Sequence, residues 1–221
     1  MFIGHIAVGL AGKRAAPRAS LGTLILAAMF LDVLWPVFVL LGWETVRIAP
    51  GITAVTPLDF TSYPISHSLL LALVWGALFG LLYRLRRGDA RGAVVLGAAV
   101  VSHWVLDWVS HRPDMPLWPG GPRVGLGLWD SIPATVAVEG AMFVAGLWIY
   151  LRATRARNRR GWISLWSLVL LLAFLYVGDL KGAPPPSVQA IAVVGIIAAA
   201  VFTPWSYWID RNRENVVAAG G

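Results

Sequence analysis

The 221-residue chain contains no cysteine. Disulfides and thiolate metal sites are therefore excluded, and His, Asp and Glu are the strong ligand side chains that remain. Charge is also scarce: 13% of the residues are Asp, Glu, Lys or Arg, about half the roughly 25% of a soluble domain. Histidine is limited to four positions, His5, His67, His103 and His111. Hydrocarbon fills the chain instead, with 58% hydrophobic residues and a mean hydropathy of +0.71. These proportions exclude an ordinary soluble domain. They predict an all-α, polytopic helical membrane protein built as one transmembrane domain over residues 1–221.

Basic residues outnumber acidic ones, 18 to 11, for a net charge of +7. In a soluble protein that excess suggests nucleic acid. Here the basic residues cluster in particular loops, so the rule that cytoplasmic loops are positive explains them better. The expected partner is the lipid bilayer, and no nucleic acid is expected.

Residues 1–12 are apolar but too short to span, since crossing takes about 20 helical residues. They read as a half-helix or re-entrant segment packed against the bundle, and they precede their positive residues, the reverse of a secretory signal. Six apolar runs follow, at about 21–43, 64–83, 92–110, 132–151, 162–180 and 187–209. Pro36 is predicted to kink the first at Asp32, whose carbonyl loses its helical partner. Pro64 suits the first turn of the second, with Thr61 or Ser62 as cap, and Asp130 or Ser131 caps the fourth. Residues 44–63 and 111–131 read as polar or Pro/Gly-rich loops. If the six spans alternate, every basic residue except Arg47, Arg112, Arg123 and Lys181 falls on one side. That asymmetry places both termini in the cytoplasm.

The stretch around which the chain is organised is Ser102-His103-Trp104-Val105-Leu106-Asp107. Residues four apart share a helix face, so His103 and Asp107 point the same way. Imidazole and carboxylate are ligands that zinc or manganese accepts, and inside a bilayer they are costly without such a role. At about 1.5 Å per residue, His103 and Asp32 each lie about 16 Å into their spans, Asp107 about 22 Å and His5 about 10 Å or more from the inner boundary. His67 lies near the outer surface. All five can therefore fall in the outer half of the membrane, on four segments. Any one alone is more often a hydrogen-bonding residue between helices; as a set, one cation satisfies all of them.

The pieces Gly4-His5-Ile6-Ala7-Val8-Gly9, Leu31-Asp32, Ser66-His67-Ser68-Leu69-Leu70 and Ser102-His103-Trp104-Val105-Leu106-Asp107 occur in that order. In this the chain resembles the LexA-regulated type of bacterial inner-membrane metal-dependent hydrolases, over roughly its first half. The family often has Pro-Asp-x-Asp where this chain has the single Asp32, and His-Arg-Gly-x-Thr-His-Ser where it has Tyr63-Pro64-Ile65-Ser66-His67-Ser68. These departures leave open one metal in place of several, or loss of activity. The family's His/Asp set is similar to that of zinc-dependent phospholipases C, which implies phosphodiester or phospholipid chemistry.

The leading expectation is thus a multi-pass protein of the bacterial inner membrane whose metal site opens to the extracytoplasmic side and activates water. His5, Asp32, His67, His103 and Asp107 are the expected ligands of a divalent metal, zinc first and manganese second. Glu139 and His111 are the candidate general acid or base. Arg112 and Arg123 are candidates for holding an anionic lipid or phosphoester substrate, although ordinary loop cations fit them equally well. The alternative is an ion- or proton-translocating or metal-binding membrane protein using the same residues. A third reading is a scaffold whose basic loops contact anionic lipid.

Overall fold

The computed structural model describes residues 1–216. Its helices are α1 (Phe2–Ala15), α2 (Leu21–Ala28), α3 (Phe30–Leu40), α4 (Pro64–His67), α5 (Leu69–Arg87), α6 (Ala90–Ser110), α7 (Ile132–Ala153), α8 (Arg159–Lys181) and α9 (Val188–Arg211). Helices α5 to α9 are each long and apolar enough to cross a membrane, and α2 with α3 forms a sixth, bent span. The all-α polytopic architecture expected from composition is what the chain adopts. Helix α1, with 14 residues, rises about 21 Å and is the short inserted helix.

Helix α1 is buried on several sides because its neighbours present small residues. A Cβ on Gly146 of α7 would lie 2.5 Å from the carbonyl oxygen of Ala7, so the two backbones touch. Helices α5 and α6 meet in the same way: a Cβ on Gly76 would lie 2.8 Å from the Gly97 carbonyl, and one on Gly80 2.6 Å from that of Ala93. Without a hydrophobic force between helices in lipid, such close approach is how they associate. One apolar cluster is centred on Leu24, Leu31, Leu96 and Val100. A second joins α1 to the later helices through Ile6, Phe143, Leu168 and Phe202.

The first span bends, but not where Pro36 predicts. Helix α3 runs through Pro36, and the 56° bend falls at Met29, between α2 and α3. There the carbonyl of Ala28 accepts a hydrogen bond from the ring nitrogen Nδ1 of His103 at 2.8 Å. A side chain from another helix takes the place of a helical amide, one of the recognised causes of a kink. The second span is also interrupted. Pro64 does open a helix, but α4 stops at His67 because Ser68 is extended (φ −80°, ψ 146°). Ser68 then caps α5 through Leu71 N, in place of the expected Thr61 or Ser62. The fourth span is capped by Ser131, as expected.

The polar loops are built. Strands β1 (Thr45–Ile48) and β2 (Leu58–Ser62) pair antiparallel with Arg47 opposite Asp59. Strands β3 (Met115–Pro116) and β4 (Arg123–Val124) form a second short pair. At the arginine-rich end, β5 (Thr154–Ala156) pairs with β6 (Arg213–Asn215). There the buried Arg213 donates to the Thr154 and Gly161 carbonyls, and the Lys13 ammonium lies 2.7 Å from Asp210.

Candidate metal centre

Four elements deliver the polar side chains. Helix α6 carries His103 and Asp107 on one face, α3 brings Asp32 in its first turn, α4 ends on His67, and α1 inserts His5. The bend at Met29 and the break at Ser68 turn the Asp32 and His67 side chains toward α6. His103 Nε2 lies 3.1 Å from Asp107 Oδ2 and 3.5 Å from Asp32 Oδ1. His67 Nε2 lies 3.6 Å from the same two oxygens. His5 stacks on His103, ring centroids 3.7 Å apart and 2° from parallel, with its Nε2 3.1 Å from Asp107 Oδ1. That second oxygen also faces the Met1 amino nitrogen at 2.5 Å. Two triads share His103: His5/His103/Asp107 and Asp32/His67/His103, with donor atoms within 4.8 Å of one another in each.

The hydrogen bonds behind these residues fix which nitrogens carry hydrogen. A carbonyl only accepts, so His103 Nδ1 must donate to Ala28 O, and in the neutral imidazole Nε2 is left as a bare lone pair. His103 Nε2 is fully buried and has no hydrogen-bond partner among the described residues. His67 is set by a relay. Glu44 Oε1 accepts from the amides of Ile65 and Ser66 at 2.8 Å each. Its Oε2 accepts from the Ser66 hydroxyl at 2.6 Å. The single hydroxyl hydrogen is thereby used, and Ser66 Oγ accepts from His67 Nδ1 at 2.7 Å. His67 Nε2 is likewise left as a lone pair.

Four lone-pair atoms, His67 Nε2, His103 Nε2, Asp32 Oδ1 and Asp107 Oδ2, thus face one another at 3.1 to 3.6 Å across their N···O pairs. Uncompensated, such a group repels itself in a buried place. A divalent cation resolves this, and ligands about 2.0–2.1 Å from zinc in a tetrahedron stand about 3.3 Å apart, close to these separations. Imidazole nitrogens whose other nitrogen is held by a carbonyl or a carboxylate-linked hydroxyl are the usual form of metal ligands. The residues present therefore fit a divalent metal.

The remaining candidates are placed differently. His111 lies past the end of α6, its ring against Trp129 and Phe60 at 4.3 and 4.9 Å. Its Nδ1 is 2.9 Å from Asp114 Oδ1, which also accepts from the Tyr63 hydroxyl at 2.8 Å. Burial, with the Asp114 carboxylate beside it, raises the Tyr63 phenol well above its ordinary range, so it stays a donor. Glu139 Oε2 accepts from the Gly4 amide at 3.3 Å, holding the first turn of α1. Arg112 pairs with Asp59 and Asp114, and Arg123 donates to the Thr61 carbonyl. Both arginines brace the two hairpins against each other.

A cavity of about 540 Å³ opens beside the cluster, with Asp32, His67, Asp107, His111 and Glu139 on its wall and α8 and α9 along its side. Arg112 and Arg123 are not among its lining residues. Asp32 is the accessible edge of the cluster, its side chain 40% exposed where that of His103 is fully buried. Sequence reasoning missed Glu44, Ser66 and Asp114. Ser66 stood next to a candidate ligand and was the one available signal; Glu44 and Asp114 reach their partners only through the fold.

No curated protein and no solved structure matches the chain. One family model does, described as YdjM inner membrane protein, over residues 1–182, a stretch that holds all five clustered His and Asp residues. The chain belongs to the YdjM inner membrane protein family, and it is a multi-pass protein of the bacterial inner membrane.

Proposed function

We propose that the protein is a membrane-embedded, metal-dependent hydrolase of a phosphoester carried on a lipid. The observation that carries this reading is the buried His103 Nε2, a lone pair facing two carboxylates with no donor to meet it among the described residues. His67, His103, Asp32 and Asp107 hold the metal, zinc in first place, with His5 supporting Asp107 from the stacked position. When bound, such a metal supplies Lewis acidity and lowers the pKa of water towards 7. The cluster lies at the end of the bundle opposite the arginine-rich loops, so by the positive-inside rule it faces the extracytoplasmic half. Met1, whose amino nitrogen meets Asp107 there, lies in that half too, contrary to the cytoplasmic N-terminus expected from the sequence, while the end of α9 beside the arginine-rich loops is cytoplasmic.

The chain's own residues divide the remaining work. His111, held by Asp114 through Nδ1, keeps Nε2 as an acceptor and lines the cavity. It takes a proton from water as the new P–O bond forms and returns it to the alcohol oxygen as the old P–O bond breaks. Glu139 is committed to the Gly4 amide, so its role is to seat α1 and with it His5. Elemental analysis of detergent-purified protein tests this. Stoichiometric metal in the native chain, lost in His103→Ala and Asp107→Ala together with phosphodiester turnover, is the expected result. A native protein that holds no metal after reloading, or a His103→Ala variant that still turns over, overturns it.

A further inference from the structure

The cavity beside the cluster does not open towards the polar end of the bundle alone. It continues sideways between α8 and α9, past Phe174, Leu175 and Gly178 on one side and Val194, Ala198 and Phe202 on the other. Phe174 and Val194 are 74% and 64% exposed, so the mouth faces outward from the bundle. Both helices have the hydropathy of membrane spans, which makes hydrocarbon the medium at that mouth. Near the arginine-rich end the same two helices are joined, Trp205 Nε1 donating to the Ser164 carbonyl at 2.9 Å. They close at one end and leave the groove at the other.

We infer that this groove is the binding site for an acyl chain of a phospholipid substrate, entering laterally from the bilayer. The inference rests on the hydrolase reading above for its head-group end. The arrangement matches the two halves of such a molecule: apolar walls meet hydrocarbon, and the floor of Asp32, His67 and Asp107 with its metal meets an anionic phosphoester. A cavity of about 540 Å³ lies within the roughly 300–1,000 Å³ of small-molecule sites. The metal residues all lie within the family-matched stretch, residues 1–182, whereas one wall, α9 (Val188–Arg211), lies beyond it.

Gly178 provides the test, because it lines the groove and a Cβ there meets nothing within 4 Å among the described residues, so a larger side chain is admitted at the groove wall without displacing a helix. Gly140 on α7 is equally open but lines no part of the cavity, and Gly140→Phe is the control. The protein is reconstituted in phosphatidylglycerol vesicles containing a phosphatidylglycerol with a diazirine in its acyl chain, irradiated, and mapped by mass spectrometry. Labelling concentrated on residues 174–178 and 194–202, falling about tenfold in Gly178→Phe and unchanged in Gly140→Phe, is expected, since an apolar occupant loses a tenfold in affinity for each 1.4 kcal/mol of lost burial. Labelling spread evenly over all lipid-facing helices, or unaffected by Gly178→Phe, overturns the groove. Turnover is scored separately: concentrated labelling without hydrolysis keeps the groove and defeats the hydrolase reading. Hydrolysis of bis-p-nitrophenyl phosphate with even labelling does the opposite.

Discussion

His103 Nδ1 donates to the carbonyl oxygen of Ala28 at 2.8 Å, across two membrane spans. The bond does two things at once. It takes up the backbone acceptor exposed where α2 ends, and it leaves the opposite face of the imidazole, Nε2, as a lone pair towards Asp32 and Asp107. The bend in the first span and the ligand form of His103 are thus one structural fact.

The relay behind His67 predicts an outcome that simple loss of charge does not. In Glu44→Gln the amide oxygen stays with the Ile65 and Ser66 amides, so the amide NH₂ faces Ser66 and donates to it. Ser66 then donates to His67 Nδ1, which moves the imidazole hydrogen to Nε2 and removes a ligand lone pair. Metal affinity should fall about 10–100-fold, as for other outer partners of metal ligands. Competition titration with a zinc chelator measures it, and Ser66→Ala, which leaves His67 free to choose its tautomer, should cost less. Equal affinity in Glu44→Gln and native protein would refute the relay.

His111 and the cluster should separate experimentally. Replacing His111 by Ala removes a proton-transfer group and should lower kcat by about 10²–10⁴-fold, while the metal content stays at the native level. A variant that loses its metal as His103→Ala does would make His111 part of the binding site.

The glycine contact between α5 and α6 sets the position of the helix that carries His103 and Asp107. Because a Cβ on Gly80 would lie 2.6 Å from the Ala93 carbonyl, Gly80→Val should overpack the interface and cost about 1–3 kcal/mol. Thermal unfolding in detergent reads the stability, and metal retention should drop with it. Gly140→Val, where a Cβ meets nothing within 4 Å, should leave both unchanged.

At the other end of α1, Lys13 is 4% exposed and binds Asp210 and the Ala19 carbonyl at 2.7 and 2.9 Å. Lys13→Met leaves both acceptors without their cation. The expected loss is about 2–3 kcal/mol, at or below the low end for a buried pair because Asp210 is 22% exposed. Denaturant titration checks it, and Asp210→Asn should be milder than Lys13→Met.

Much of the architecture was legible before any fold. Long apolar runs between basic clusters can satisfy their backbone groups in lipid only as helices, which is why six spans and a short N-terminal helix follow from composition and spacing. The i, i+4 relation of His103 and Asp107 is local geometry and was equally readable. The bend at Met29 was not, because Pro36 is the stronger local signal; the competing cause is a side chain 75 residues away along the chain. The break at Ser68, the partners Glu44 and Asp114, and the bracing role of Arg112 and Arg123 have the same origin. Each depends on contacts between segments distant in sequence, and no residue type announces them. The sequence by itself determined the helices, their polar residues and the side on which charge gathers. Tertiary structure alone decided which lone pairs face one another and where the groove opens, because hydrogen-bond direction and helix separation exist only once the helices are packed.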